Sequence, residues 1–113
     1  MHNAYRYDSF ALICHNALLF HFKEADWVDS NRAELIQSVT LVMPIADQML
    51  QRGIIHKEKY NQIRTMSTSQ DQMREVYSAL TSTKAKSVFY RICSEIYPQI
   101  FESTCNPILR VDI

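Results

Sequence analysis

Apolar residues recur along most of the chain three and four positions apart, the spacing that places side chains on one face of an α-helix. The clearest case lies between residues 73 and 80, where apolar positions fall at i, i+3, i+4 and i+7. This stretch is therefore predicted to be an amphipathic helix with one face turned to a core. Its apolar positions are Met73, Val76, Tyr77 and Leu80.

Pro44 interrupts the most apolar of these stretches and decides how it divides. Proline has no amide proton and clashes with the preceding turn of a helix, but it is well accepted in a first turn, where that proton would have no acceptor. The pattern therefore predicts two helices with an abrupt joint. One runs from Asp26 to Val42, and the other opens at Pro44 and is closed by Gly53, which accepts a left-handed backbone conformation.

Four further helices are predicted from the same spacing and from helix-capping residues. The fourth helix of the chain is expected to open at one of two overlapping capping boxes, 67–70 or 69–72. The fifth is expected to begin at Ser82 or Thr83, with Tyr90 off its apolar face. Together with a short last helix, the six predicted segments are 26–42, 44–53, 56–64, about 67 to 80, about 82 to 97, and 98–103.

Composition supports a helical architecture. The chain has 113 residues but only one glycine, and tight turns between strands and phosphate-binding loops both need glycine. The length suits one domain with a modest core. We therefore expect a compact all-α domain at residues 26–103, preceded by a leader at residues 1–25 and followed by a loose tail at residues 104–113.

The leader contains an apolar stretch, FALICHNALLFHF, at residues 10–22. This stretch is shorter than the span of about 20 residues that a bilayer needs. His15 and Asn16 also interrupt the apolar centre that a secretory signal requires. We expect an extra amphipathic helix or a poorly ordered leader, and a helical module that binds membrane surfaces through residues 10–22 stays open as an alternative.

Charge and reactive residues argue against several functions. Twelve basic residues balance twelve acidic ones, which argues against nucleic-acid or acidic-membrane binding through bulk charge. Cys14, Cys93 and Cys105 form no C-x-x-C pair and indicate a reduced, intracellular protein. Zinc bound by Cys93, Cys105 and a histidine would lack the close ligand pairs of structural zinc sites. The sequence also has no nucleophile elbow, so we expect no catalytic residue, cofactor or metal.

Surface charge is segregated by helix in this pattern. Arg32 lies on the first predicted helix and Arg74 on the fourth, whereas Asp47 lies on the second and Glu58 on the third. If the first and fourth helices are neighbours, their arginines form one basic patch and the acidic residues lie on another face. Such a molecule can bind its own kind head to tail, and a contact of that type propagates into an open filament.

Several stretches, in this order and spacing, resemble a caspase recruitment domain of the death-fold superfamily. They are WVDSNRAELIQSVTLVMPIADQML, then YNQIR, then SQDQMREVYSAL, then FYRI before a Y-P-x-I-F ending. The likeness covers about residues 26–103 and is closest to the recruitment domains of the apoptosis-associated speck-like adaptor and of fish inflammasome receptors.

The resemblance implies a six-helix antiparallel death-fold bundle, whose first helix is often bent or broken. It also implies a cytoplasmic adaptor or regulator of inflammasome or apoptotic signalling. Its partners would be other proteins with a caspase recruitment domain, such as an inflammasome adaptor, an inflammatory caspase or an NLR-type receptor.

The resemblance further implies the residues of the contact. By motif position, Arg32 and Arg74 would form the basic side, and Asp47 and Glu58 the acidic side. Where relatives often have a second arginine in the first helix, this chain has Ser38. The missing charge would weaken filament formation, so a decoy that caps a partner's filament is the alternative function.

Overall fold

The computed structural model describes residues 22–99, and all the regular secondary structure in that range is helical. Residues 98 and 99 begin a further helical turn, while residues 1–21 and 100–113, with most of the predicted leader, last helix and tail, lie outside the described residues. The predicted all-α, six-helix fold is confirmed. The helices are α1 (22–30), α2 (Arg32–Ser38), α3 (Met43–Gln51), α4 (Lys57–Thr65), α5 (Ser69–Ser78) and α6 (Thr83–Ile96), and α1 with α2 corresponds to the first of the six predicted helices.

The first predicted helix is bent, and it is already helical at residue 22 rather than from Asp26. It breaks at Asn31 and resumes as α2. The backbone N–H of Asn31 donates to the carbonyl of Trp27 at 3.0 Å, and the Asn31 side-chain amide donates to the same oxygen at 2.9 Å. These two hydrogen bonds close the end of α1, so α1 and α2 together form the bent first helix that the resemblance implied.

The end of this helix differs from the prediction, because α2 stops at Ser38 and residues 39–42 are not helical. Three of these four connecting residues are β-branched, and such side chains lose rotamer freedom in a helix. Val39 is already extended, with φ −83° and ψ 114°. Val39 and Val42 are nevertheless only 1% exposed, so their spacing correctly indicated burial but not helix.

The predicted roles of Pro44 and Gly53 at the two ends of the next helix are confirmed. Pro44 lies in the first turn of α3, where its missing N–H leaves no acceptor unpaired. Gly53 follows the end of α3 with φ +78°. The N–H of Ile54 donates to the carbonyl of Met49 at 2.9 Å, and that of Gly53 to Leu50 at 3.1 Å, which is the Schellman pattern of helix termination.

The caps of the later helices fit the prediction in one case out of two. The hydroxyl of Ser82 caps α6 by accepting an amide N–H three residues on at 3.0 Å. The capping residue of α5, however, is Thr68, whose hydroxyl accepts the N–H of Asp71 at 3.1 Å. Both predicted boxes are therefore wrong: the true cap lies between their two serines, Ser67 and Ser69, and Ser69 is already helical.

The helices enclose one apolar core, in which neighbouring packed pairs run in the order α2, α5, α4, α3 and α6. Helix α1 joins the core through Trp27, whose ring meets Tyr90 of α6 edge-on with 5.4 Å between ring centroids. Tyr90 is only 5% exposed, so its predicted position off the apolar face is wrong. The most deeply buried side chains include Leu35, Ile45, Met49, Ile63, Met73, Val76, Phe89 and Ile92.

Polar contacts also hold α1 against α6. The carboxylate of Glu24, which is 1% exposed, accepts a hydrogen bond from the Ser87 hydroxyl and lies 3.5 Å from Nε of Arg91. Nearer the end of α1, the carboxylate of Asp29 lies 3.0 Å from Nζ of Lys86. A buried carboxylate is costly unless it is paired and hydrogen-bonded, so the Glu24 contact ties α1 to one place on α6.

Candidate protein-interaction site

The two predicted basic residues lie on helices that pack against each other. Arg32 begins α2, Arg74 lies within α5, and both side chains are exposed. The guanidinium carbon of Arg32 lies 5.4 Å from the centre of the Tyr77 ring. Tyr77 follows Arg74 by three residues, and residues three apart are neighbours on a helix surface. Arg32 therefore approaches the side of α5 that carries Arg74.

Tyr77 is held from three directions. It belongs to α5, its hydroxyl donates a 2.8 Å hydrogen bond to the carbonyl of Val28 in α1, and its ring meets Phe89 of α6 at 5.5 Å between centroids. Burial raises the pKa of Tyr77 above its ordinary value, so the hydroxyl keeps its proton and its hydrogen bond at neutral pH. Arg32 thus rests on an immobilised aromatic ring.

Arg74 is in a different electrostatic state. Its guanidinium lies 2.8 Å from the carboxylate of Asp71 on the same helix, and the two side chains are 52% and 48% exposed. Asp71 is also favoured where it lies, in the first turn of α5, because the helix dipole is positive there. Within residues 22–99, by contrast, Arg32 pairs with no carboxylate. The basic side therefore has one unneutralised and one partly neutralised arginine.

The acidic residue Asp47 is exposed on α3 and is held by the neighbouring helix α4. Its Oδ1 accepts a hydrogen bond from the hydroxyl of Tyr60. This hydrogen bond, with a smaller effect of burial, raises the pKa of Tyr60, whereas the nearby positive charge of Arg64 opposes the shift. Asp47 therefore presents a carboxylate with one oxygen already engaged.

Glu58 does not lie beside Asp47. It precedes Tyr60 by two residues on α4, and residues two apart point to nearly opposite sides of a helix. Because Tyr60 faces Asp47, Glu58 faces away from it. Glu58 instead lines an open surface depression together with Lys59 and Gln62.

Three residues around the candidate site were not assigned to it from the sequence. Asp71 could have been found, because an acidic residue three positions before Arg74 is a standard ion-pair spacing within a helix. Tyr77 was predicted only as a core residue, and its spacing gives no sign that Arg32 lies on its outer face. The bond from Tyr60 to Asp47 joins two helices and has no signal in local sequence.

The described residues also bear on metal binding, cysteine reactivity and membrane insertion. In the part of the chain that the structure describes, no three histidine, cysteine, aspartate or glutamate side chains are close enough to hold a metal ion. Cys93 is 1% exposed within the core, where burial raises the pKa of its thiol, and Cys105 lies outside the described residues. Among helices α1–α6, none combines the length and the apolar character needed to cross a bilayer.

A bundle in which a bent first helix, here α1 with α2, is followed by α3–α6 and by a further helical turn from residue 98 is the architecture of the death fold, a class of protein-interaction domains. Within this class, the family model of the caspase recruitment domain matches residues 25–104, which is most of the chain. The chain belongs to the caspase recruitment domain family.

Curated relatives lie among rodent proteins. The chain is 32% identical over 84 residues to NACHT, LRR and PYD domains-containing protein 1b allele 3 of Mus musculus, and 33% identical over 84 residues to the 1a allele 1 protein of Rattus norvegicus. Each match covers 73% of this chain but only 7% and 6% of the two relatives. The similarity therefore concerns one domain of much longer proteins.

Family membership sets the general function. Caspase recruitment domains are protein-interaction modules of apoptotic and inflammatory signalling that bind one another, rather than catalytic domains. This chain is accordingly a homotypic protein-interaction module of that type.

Proposed function

We propose that this domain joins other caspase recruitment domains head to tail, as a cytoplasmic adaptor or regulator in inflammasome or apoptotic signalling. Arg32 and Arg74 of one domain would meet Asp47 of the next, and Glu58, which faces away from Asp47, would lie outside this contact. The observation that supports this assignment is the packing of α2 on α5, because it gathers both arginines while Asp47 is carried by α3.

The contact has the form that lets an assembly grow. The two faces belong to different helices of one small body, so a domain bound through one face still offers the other, and addition can continue. Complementary charge contributes orientation and partner choice more than affinity. An exposed ion pair contributes about 0.2–1 kcal/mol, so a stable assembly needs the contact repeated many times.

The partners that fit this function are proteins carrying the same domain type: an inflammasome adaptor, an inflammatory caspase or an NLR-type receptor. The names of the rodent relatives include NACHT and LRR domains, which supports an inflammasome setting.

Charge reversal tests the contact. Arg74→Glu and Asp47→Lys should each abolish assembly of the purified domain, measured by light scattering and negative-stain microscopy, while circular dichroism shows unchanged helicity. Lys84→Glu is the matched control, because it reverses an exposed charge in the first turn of α6, a helix that carries none of the four contact residues assigned from the sequence. Mixing the two variants should restore assembly, since their reversed charges attract each other. Normal assembly of both single variants would show that the site is assigned wrongly.

A decoy that caps a partner's filament is the second candidate. It is favoured by Ser38, whose hydroxyl donates to the carboxylate of Glu34 at 3.2 Å where relatives often carry an arginine, and by the pairing of Arg74 with Asp71. Both features reduce the positive charge of one face and leave Asp47 unaffected. Adding this domain to a labelled inflammasome-adaptor domain separates the candidates: faster filament growth indicates a recruiter, and shorter filaments indicate a decoy.

A further inference from the structure

We infer that Tyr77 and Tyr60 are positioning residues of the proposed contact, each holding the charged group of a neighbouring helix in the orientation that a partner meets. The inference rests on the proposed function. It adds two uncharged residues to the contact and gives each a separate physical role.

On the basic side, Tyr77 limits the freedom of Arg32. A free arginine side chain loses much rotamer entropy when a partner fixes it, which weakens binding. Here the guanidinium already lies 5.4 Å from the ring centre of Tyr77. Stacking through one flat face leaves the N–H groups at the guanidinium edge available for a carboxylate. Part of the ordering that binding requires is therefore present before the partner arrives.

The Tyr77 ring can serve this purpose because it does not itself move. Its hydroxyl is bonded to the Val28 carbonyl at 2.8 Å and its ring packs edge-on against Phe89. These contacts join α5 to α1 and α6, so the orientation of Arg32 is fixed relative to three helices.

On the acidic side, Tyr60 acts on Asp47 by hydrogen bonding. Its hydroxyl donates to Oδ1 of Asp47, which fixes the plane of the carboxylate and leaves Oδ2 as the acceptor for a partner's guanidinium. The same hydrogen bond, followed by burial and by the negative charge of Asp47, raises the pKa of Tyr60, so the donor stays protonated. A tyrosine thus holds the charged group on each side, Tyr77 through its ring and Tyr60 through its hydroxyl.

This difference gives opposite expectations for conservative variants. Tyr60→Phe removes the hydroxyl that holds Asp47 and should raise the concentration needed for half-maximal assembly about two- to fivefold. Tyr77→Phe keeps the ring face under Arg32 and should change that concentration less than Tyr77→Leu, which removes the ring and should raise it about two- to fivefold. Melting temperatures of all variants are measured alongside, so that lost stability is separated from lost positioning.

A double-mutant cycle distinguishes positioning from structure. If Tyr77 acts through Arg32, the effect of Tyr77→Leu on assembly should disappear in an Arg32→Gln background, where no guanidinium remains to be held. An equal effect in both backgrounds would overturn the role of Tyr77. If Tyr77→Leu does not fold, Tyr60→Phe decides, and unchanged assembly of that variant overturns the inference.

The same series distinguishes this inference from the proposed function. If Arg32→Gln and Asp47→Lys impair assembly but the tyrosine variants do not, the contact stands and only the positioning role fails. If Arg32→Gln and Asp47→Lys have no effect, the proposed contact itself is wrong and the tyrosines have nothing to position.

Discussion

Cys93 and Tyr77 carry protons that the folded core retains and the unfolded chain gives up. Cys93 is buried and Tyr77 is partly buried, and burial raises the pKa of each because the charged form would be poorly solvated. In the unfolded chain the Cys93 thiol ionises at about pH 8.5 and the Tyr77 hydroxyl at about pH 10. Above those values the unfolded state binds fewer protons than the folded state, so rising pH favours unfolding.

Stability should therefore be full below about pH 8.5 and fall as pH rises, with Cys93 contributing a slope of up to about 1.4 kcal/mol per pH unit, joined by Tyr77 above about pH 10. Urea unfolding at a series of pH values from about 7 to about 10, a range that includes the ordinary pKa of the thiol, measures the slope. Cys93→Ala should flatten the curve between about pH 8.5 and 10. An unchanged slope in that variant would show that the thiol does not stay protonated in the folded domain.

At the scale of helices, several helix boundaries could be predicted from residues that favour the start or the end of a helix. Pro44 and Gly53 marked the two ends of α3 because each has a backbone property that few other residues share. Burial of Val39 and Val42 was also predictable. The extended backbone of Val39 was not, because apolar spacing indicates which side chains are buried, while a β-branched run can satisfy the same burial without a helix.

Other features of the helices depended on tertiary contacts. The burial of Tyr90 arises from its edge-on contact with Trp27, which lies more than sixty positions earlier in the chain. The cap at Thr68 was missed since three hydroxyl residues in succession can each begin a helix, and local sequence does not choose among Ser67, Thr68 and Ser69.

Gly53 provides a test at this scale. An added Cβ at this position would meet no atom within 4 Å, so a substitution there changes the backbone energy without a steric clash. Gly53→Ala should lower the free energy of unfolding by about 1–2 kcal/mol, because φ +78° is unfavourable for an L-residue. Gly53→Asn is the matched control and should cost less, since asparagine tolerates this conformation. Equal losses in urea unfolding would show that the backbone conformation is not the cause.

For the whole molecule, net charge is zero, so any electrostatic attraction to a partner depends on how the charges are distributed over the surface. The sequence did not predict that α2 packs on α5; it indicated only that the two arginines would form one patch if these helices were neighbours. The arginines themselves could be selected by motif position. The sequence did not reveal that Glu58 faces away from Asp47, or that Asp71 neutralises part of the positive charge of Arg74. These facts depend on the rotation of each helix in the bundle, which local patterns specify poorly.

Ser38 is where the basic face can be strengthened. Ser38→Arg adds a positive charge to the last turn of α2, which has no basic residue, and places it four residues after Glu34, a favourable ion-pair spacing. The variant should assemble at a concentration about two- to fivefold lower than the wild type, as expected for one added exposed charge contact.

Gln37→Arg is the control for this gain, because it adds the same charge one position earlier on the exposed surface of the same turn. Sedimentation or light scattering against concentration measures both variants. An equal gain in the two would mean that overall positive charge matters and that position 38 has no special place in the contact.

The buried Glu24 has a practical consequence for anyone preparing shortened versions of this protein. A recombinant fragment that starts at Asp26, where the apolar pattern first becomes regular, would delete the carboxylate that Ser87 and Arg91 bind and about one turn of α1. The hydroxyl of Ser87 would then lose its hydrogen-bond acceptor, and Trp27 would lie in the first, fraying turn of the shortened helix. Fragments for crystallisation or spectroscopy should therefore begin no later than residue 22.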